Sequence, residues 1–433
     1  MLFLVAAVVS LAGTIGPDAR WLAALGAAIV HTGSIPHGIP FAATASPAWH
    51  NVPVLSELAF RGLESAFGAR GLLAAQIAAS CGAALFVARD ARRLGASEPA
   101  IAGVLLLVLT GGLLAFAGIK AQLFSLLLFP ALVYLLRSEE ARPSRSIWLV
   151  VPLVALWSNL HGAALVGVAV TLVYLVVHRA RRSPLESAAV AAACVLALGL
   201  TPALGGTAAY YQSALTNEAA ARGYGLWAPL SLHSGFDVLL IAAAVLLVAG
   251  FLRSRPSAWQ VAAATALAAI TVHAARNGIW LLLFLAAPAA SAVPVRLGSR
   301  RWLTYSFTVF FAACAVWGLD RGPFDAGASS GVVRDALRIA DGRPILADPA
   351  VAEQIADAGG RVWISNPIDA FPHSAQRRYL DWLQGRQSGM RALAGSRVVI
   401  VKRNSPNELR LRRDQAFAAA AGDARNRVFV RRR

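Results

Sequence analysis

The chain has 433 residues, of which 57% are hydrophobic and only 14% charged, with a formal net charge of +18. Soluble domains carry about a quarter charged residues, so this composition excludes an ordinary water-soluble globule and indicates a polytopic membrane protein. The positive charge would suit nucleic acid, and where it sits along the chain decides that question.

The first sixteen residues are apolar, with no basic flank and no small-residue cleavage site, and read as a membrane helix rather than a signal peptide. A spanning helix needs about 20 mostly apolar residues, and fewer inside a bundle. Eleven segments qualify: 1–16, 71–88, 99–118, 121–136, 147–160, 162–178, 185–203, 235–252, 257–275, 278–295 and 302–319. The connections at 89–98, 137–146, 179–184, 253–256 and 296–301 hold fourteen arginines, Arg296 and Arg300 among them, whereas the opposite set holds six Lys or Arg. That asymmetry puts the N-terminus in the cytoplasm and the 17–70 loop outside. These basic residues are topology signals, so nucleic acid is excluded as a partner of the membrane part. The three cysteines, Cys81, Cys194 and Cys314, lie in apolar runs without zinc spacing and read as small buried hydrophobes.

The loop from Gly16 to Gly71 is the longest piece between spans and carries three of the eight histidines. Asp18 stands where the first helix leaves the membrane, after Gly16-Pro17. A carboxylate there could accept a proton from a hydroxyl, although Pro-Asp is also common turn chemistry. Glu57 opens a helix ending near Phe67, after an aromatic, His-bearing stretch that contains His50.

Trp157-Ser-Asn-Leu-His161-Gly162 interrupts the apolar run 147–178. Two short helices flanking this break keep both Arg-rich ends on one side. Irregular backbone at that depth points to a cavity. Arg276, at an outer helix end, runs against the charge bias and could clamp phosphate oxygens; Lys120 sits in a very short outer turn. Ionisable residues in or beside spans are costly and functional by default, and here they gather at outer ends.

From Asp320 onward, the chain holds twenty Lys or Arg against twelve Asp or Glu. Segments starting at Arg343, Arg361, Arg397 and Arg427 read as strands. Pro349 to Gly359 and Ala375 to Gly385 read as amphipathic helices. The expected organisation is a membrane domain over 1–319 and a small extracytoplasmic α/β domain over 320–433, whose basic surplus is an ordinary basic surface or suits an anionic membrane surface. There is no P-loop, dinucleotide fingerprint, zinc-spaced His pair or Gly-x-Ser-x-Gly elbow. No paired broken helices of the kind common in secondary transporters are evident either.

With these residues in place, the chain resembles the GT-C superfamily of polytopic glycosyltransferases. More narrowly, it resembles uncharacterised bacterial relatives of the dolichyl-phosphate-mannose protein mannosyltransferases. The matching positions are Asp18, Trp21, Gly26, Gly33-Ser34-Ile35-Pro36, Pro40-Phe41, Trp49, Glu57, Gln122 to Ser125, Trp157 to Gly162 and Arg276-Asn277.

The resemblance implies a mainly α GT-C-like bundle in the inner membrane and a polyprenyl-phosphate sugar donor. The sugar passes to a glycan, lipid or protein acceptor of the cell envelope on the outer face, with inversion at the anomeric carbon. Asp18 would be the general base. Arg276 and Lys120 would hold the lipid phosphate, and His50, Glu57 and His161 would line the sugar or acceptor cavity. The donor is a substrate, and the mechanism needs no nucleotide. Leu22 and Ile39 stand where the pattern often has a His and an acid. These departures remove the support for a divalent metal. They also open the alternative of an inactive relative that binds lipid-linked glycans or scaffolds an envelope complex.

Overall fold

The computed structural model describes residues 1–16, 18–294, 301–322, 324–325 and 327–432, without the side chains of 301–307. Pro17 of the predicted break, and the topology arginines Arg296 and Arg300, lie outside the described residues. The chain divides into two compact units. One comprises Met1–Thr14, Ala69–Leu204 and Gly223–Pro323; the other comprises Ile15–Gly68, Gly205–Arg222 and Phe324–Arg433.

The first unit is a multi-pass membrane helix bundle. Val54–Arg93, Gln122–Ala141, Ala164–Arg181 and Gly235–Arg253 are long and apolar enough to cross a membrane; in Val54–Arg93 the apolar stretch read as a span follows the Gly68 kink. Shorter apolar helices stand at Leu2–Ala12, Glu98–Gly111, Arg145–Ser158, Pro184–Leu198, Ala258–His273 and Thr308–Asp320. Gly278–Ser291 is apolar on every side, and all of it except Ser291 is buried. A helix that is hydrophobic all round belongs in the middle of a bundle.

Where lipid replaces water, helices associate through close packing of small residues. The chain supplies them at the contacts. A Cβ at Gly278 would lie 2.5 Å from Leu240 Cδ2, and one at Gly167 would lie 2.5 Å from Trp157 Cζ3.

Two of the predicted topology arginines also hold helices together. Arg137 donates to Asp90 Oδ2 at 2.7 Å and to the Phe284 carbonyl at 2.6 Å, with both charged side chains almost fully buried. Arg179 pairs with buried Glu139. The acids answering these arginines had no signal in the charge count.

The second unit has a four-stranded sheet in the order 345–346, 398–402, 426–431, 417–422. The first pair is parallel and the other two are antiparallel. Three of the four predicted strands are present. The fourth, at 361–365, is reduced to single bridges, Val362 pairing with both Ile345 and Ala42. The 417–422 strand was not predicted, because Phe-Ala-Ala-Ala-Ala-Gly lacks the β-branched side chains that mark strands.

Both predicted amphipathic helices form, at Pro349–Asp357 and His373–Leu383. Two more, Ser330–Ala340 and Pro406–Arg413, were missed, although Ser329 and Ser405 are ordinary N-caps accepting backbone bonds from Val332 and Glu408. Ile345, Ile400, Val428, Val351 and Ile355 fill the core between sheet and helices. Burying each such side chain is worth about 1.5–3 kcal/mol.

The first loop is built into this same unit. Its helix Ala19–Thr32 buries its N-terminal half, from Ala19 to Gly26 apart from Arg20. The helix crosses the 54–67 stretch at Gly26, where a Cβ would sit 2.3 Å from the Glu57 carbonyl oxygen. Only glycine allows that approach.

Candidate functional site

Asp18 is the N-cap of the helix Ala19–Thr32, yet its side chain makes no cap bond to that helix. Its backbone sits at φ 94°, ψ −33°, a region that non-glycine residues rarely occupy and that costs of order 1–3 kcal/mol. Glu353, from the helix Pro349–Asp357, performs the capping instead. Its Oε2 accepts the Asp18 N–H at 2.7 Å, and it also accepts the Trp21 N–H. The exposed amides of a helix N-terminus favour such an acceptor.

The Asp18 carboxylate is thereby left to side-chain donors. Trp21 Nε1 approaches its Oδ1 at 3.3 Å and Asn366 Nδ2 at 3.4 Å. Asn366 also donates to Glu353 Oε1 at 2.7 Å, so one amide ties the two carboxyl groups together. Glu353 is fully buried. Burial and then the negative charge of Asp18 hold its carboxyl well above the usual carboxylate range, against the hydrogen bonds it accepts. The result is a half-buried carboxylate beside a buried, proton-holding one.

One residue further on, Arg20 gathers three acids: Asp325 Oδ1 at 2.9 Å, Asp357 Oδ2 at 3.1 Å, and Glu64. Burial and the neighbouring Asp357 push the Glu64 carboxyl up to about 7, against Arg20. Among the described residues, no group of three His, Cys, Asp or Glu side chains is arranged to hold a metal ion.

Glu57 is also fully buried, within the part of Val54–Arg93 that precedes the Gly68 kink. Asn51 Nδ2 donates to its Oε2 at 2.8 Å, while its Oε1 and the Asn51 Oδ1 make no hydrogen bond. Burial pushes the Glu57 carboxyl up to about 8, against the Asn51 bond. A neutral acid is what so poorly compensated a site can hold. His50 packs its ring against Gly206, where a Cβ would meet Nδ1 at 2.7 Å.

The remaining predicted residues lie in the helix bundle. The 147–178 run is divided as expected, with helices Val150–Ser158 and Ala164–Val177 flanking the break. Trp157 Nε1 donates to Ser125 Oγ at 2.6 Å, and Ser125 Oγ lies 2.7 Å from His161 Nδ1. The Ala163 N–H also points to Nδ1, at 3.4 Å. Because the Ala163 N–H makes Nδ1 an acceptor, the Ser125 proton goes to Nδ1 and the imidazole proton is assigned to Nε2. Lys120 and Arg276 both lie near enough to act on the His161 charge. The Arg276 guanidinium stacks 3.9 Å from the Trp227 ring centroid.

The structure thus brings His161, Lys120 and Arg276 into one neighbourhood of the bundle. In the other unit it sets Asp18 among Glu353, Asn366 and Trp21, with Glu57 separately bonded to Asn51. Glu353 and Asn366 were missed by sequence reading. Glu353 occupies an ordinary amphipathic helix more than three hundred positions from Asp18, and nothing local marks it.

These features define a polytopic membrane protein with the GT-C fold, combining an apolar bundle, a structured first loop and a small C-terminal sheet domain. No protein-family model and no curated protein sequence matches the chain. Among solved structures, the crystal structure of ArnT from Cupriavidus metallidurans bound to undecaprenyl phosphate is similar to it. The TM-score is 0.58 at 13% sequence identity, covering 99% of this chain and 96% of that one. At that identity the likeness establishes the fold.

Proposed function

We propose that the protein is an integral membrane glycosyltransferase that moves a sugar from a polyprenyl-phosphate donor to an acceptor on the outer face, with Asp18 as general base. The observation that carries this reading is the relief of Asp18 from capping its own helix. Glu353 takes the backbone N–H groups, and the Asp18 carboxylate is aimed by Trp21 and Asn366 from a strained backbone. Backbone strain of this kind persists where the surroundings enforce it, and it clusters at functional sites. As base, Asp18 would take the proton of the acceptor hydroxyl as that oxygen attacks the anomeric carbon from the side opposite the lipid phosphate, which leaves with inversion.

Lys120 and Arg276 would stabilise the departing phosphate, and His161 would donate its Nε2 proton to a sugar or phosphate oxygen. His50 and Glu57 would line the sugar or acceptor cavity. The C-terminal domain would lie on the outer side of the inner membrane. The similarity to a fold crystallised with undecaprenyl phosphate supports a lipid-phosphate donor.

A second reading is a catalytically inactive relative that binds lipid-linked glycans. It is favoured by Leu22 and Ile39, where polar positions of the family pattern are occupied by buried core residues, 0% and 5% exposed. One experiment separates the two. Purified protein is given radiolabelled polyprenyl-phosphate sugars, and label transfer and donor binding are followed for wild type and Asp18→Asn. Transfer by wild type alone supports the enzyme. Binding by both proteins without transfer supports the second reading.

A further inference from the structure

An open pocket of about 240 Å³ lies at the surface of the helix-bundle unit, at the junction of the 137–146 and 179–184 connections, with Ser144, Arg145 and Arg182 exposed. Ser144, Arg145, His178, Arg179, Arg182 and Ser183 contribute to its wall. The proposed transferase chemistry uses none of them.

Arg179 is 6% exposed and fixed in place. It pairs with Glu139 and donates to Glu186 Oε2 at 2.8 Å and to the Ser144 carbonyl at 3.3 Å. Its Nε is buried and has no hydrogen-bond partner. His178 Nε2 is likewise buried without a partner, in a ring stacked on Tyr174 at 5.5 Å between centroids. Ser183 is the N-cap of the helix Pro184–Leu198, but its side chain makes no cap bond.

The two acids nearby are already engaged. Glu139 accepts from Arg179, Ser144 and Ser146, and Glu186, itself part of the wall, accepts from Arg179 and from Trp148 Nε1 at 3.1 Å. Among the described residues, neither Arg145 nor Arg182 makes an ion pair. Unpaired donors, two guanidinium groups without contact acids and a helix N-terminus match an oxyanion with several acceptor oxygens. The volume is below the roughly 300–1,000 Å³ of drug-sized pockets, which favours a compact group over a nucleotide.

We propose that this cavity binds a phosphate group, either in the headgroup of an anionic phospholipid or as the free ion. Arg145 and Arg182 supply the charge, while Arg179 and His178 supply fixed donors. The site is independent of the transferase reading.

The full chain is purified in a neutral detergent, and its thermal melting is followed by tryptophan fluorescence. It is titrated separately with short-chain phosphatidylglycerol, short-chain phosphatidylcholine and inorganic phosphate. Arg145→Gln/Arg182→Gln is compared with Arg181→Gln, which removes a charge on the same connection outside the cavity wall. The melting temperature without ligand is measured for each protein to confirm folding. Saturable stabilisation by phosphatidylglycerol, by phosphate or by both is expected. The double variant should bind roughly tenfold or more weakly and Arg181→Gln as wild type, in keeping with the loss of charge-assisted hydrogen bonds. A response to phosphatidylglycerol alone assigns the site to lipid, and a response to phosphate alone assigns it to a soluble anion. The proposal is overturned if neither anion stabilises wild type, if phosphatidylcholine does so equally, or if the double variant and Arg181→Gln respond alike.

Discussion

The Glu353 carboxyl group accepts the backbone N–H of Asp18 at 2.7 Å, across 335 positions of sequence, and thereby caps the helix that Asp18 begins. A residue that would ordinarily spend its carboxylate on its own helix is freed of that duty. The C-terminal domain therefore shapes the geometry of the first loop, and the roles of the two acids can be separated by substitution.

Asp18→Asn keeps the shape and the acceptor oxygen but removes the basicity. Transfer activity is expected to fall at least a hundredfold, within the range that general base catalysis contributes, while the melting temperature stays near wild type. Asp18→Gly goes further, because glycine adopts φ 94° freely. It is expected to be inactive yet as stable as Asp18→Ala or more so, by up to about 1 kcal/mol. Radiolabel transfer and thermal melting on the same preparations check both. An Asp18→Gly protein clearly less stable than Asp18→Ala would show that the backbone is not strained.

Glu353 holds its proton in the folded protein far above the range it has when unfolded. At this group the folded state therefore binds more protons, so its contribution to stability is fully present below about pH 4.5 and is lost as pH rises toward the folded value. Glu353→Gln mimics the neutral acid and should fold well with a flatter stability profile over this range. Glu353→Ala leaves the N–H groups of Asp18 and Trp21 without their acceptor and should lose about 1–3 kcal/mol. Melting curves between pH 5 and pH 9 distinguish the two, and identical profiles for wild type and Glu353→Gln would refute the protonated state.

Glu57 follows the same sign with a defined window. Its carboxyl titrates near 8 when folded. Its contribution is thus fully present below about pH 4.5 and is lost as pH rises through 8. Glu57→Gln should match wild type at pH 5 and melt higher than wild type at pH 9. This follows because wild type must bury a charge there with a single side-chain hydrogen bond.

How legible this molecule was in its sequence depended on whether the signal was local. The helices announced themselves because apolar runs bounded by arginines need no partner to be recognised. The Asn159-Leu-His161 break showed in the same way, since polar residues interrupt such a run. Asp18 was visible because it stands at the end of one. Glu353 and Asn366 were not, because their importance comes from a fold that returns them to Asp18. The second role of Arg137 was hidden for a related reason. Its positive charge counted as a topology marker, while its buried partner Asp90 lies on another helix. The Ser330–Ala340 helix could have been found from the Ser329 cap and the spacing of Val332, Val333, Ala336 and Ala340.

The Arg137–Asp90 pair gives the last prediction. Two charges, 2% and 3% exposed, meet at 2.7 Å while the guanidinium also covers the Phe284 ring at 4.8 Å. Removing one partner strands the other in a low-dielectric interior, which costs about 3–5 kcal/mol in buried pairs. Arg137→Ala is therefore expected to destabilise the bundle strongly, through Asp90 and through the Phe284 carbonyl that loses its donor. Asp90→Ala should do the same through the stranded guanidinium. The double variant Asp90→Ala/Arg137→Ala should lose less than the sum of the two, because no unpaired charge remains. Melting temperatures of the four proteins in one detergent complete the cycle, and strictly additive losses would mean that the pair does not act as a unit.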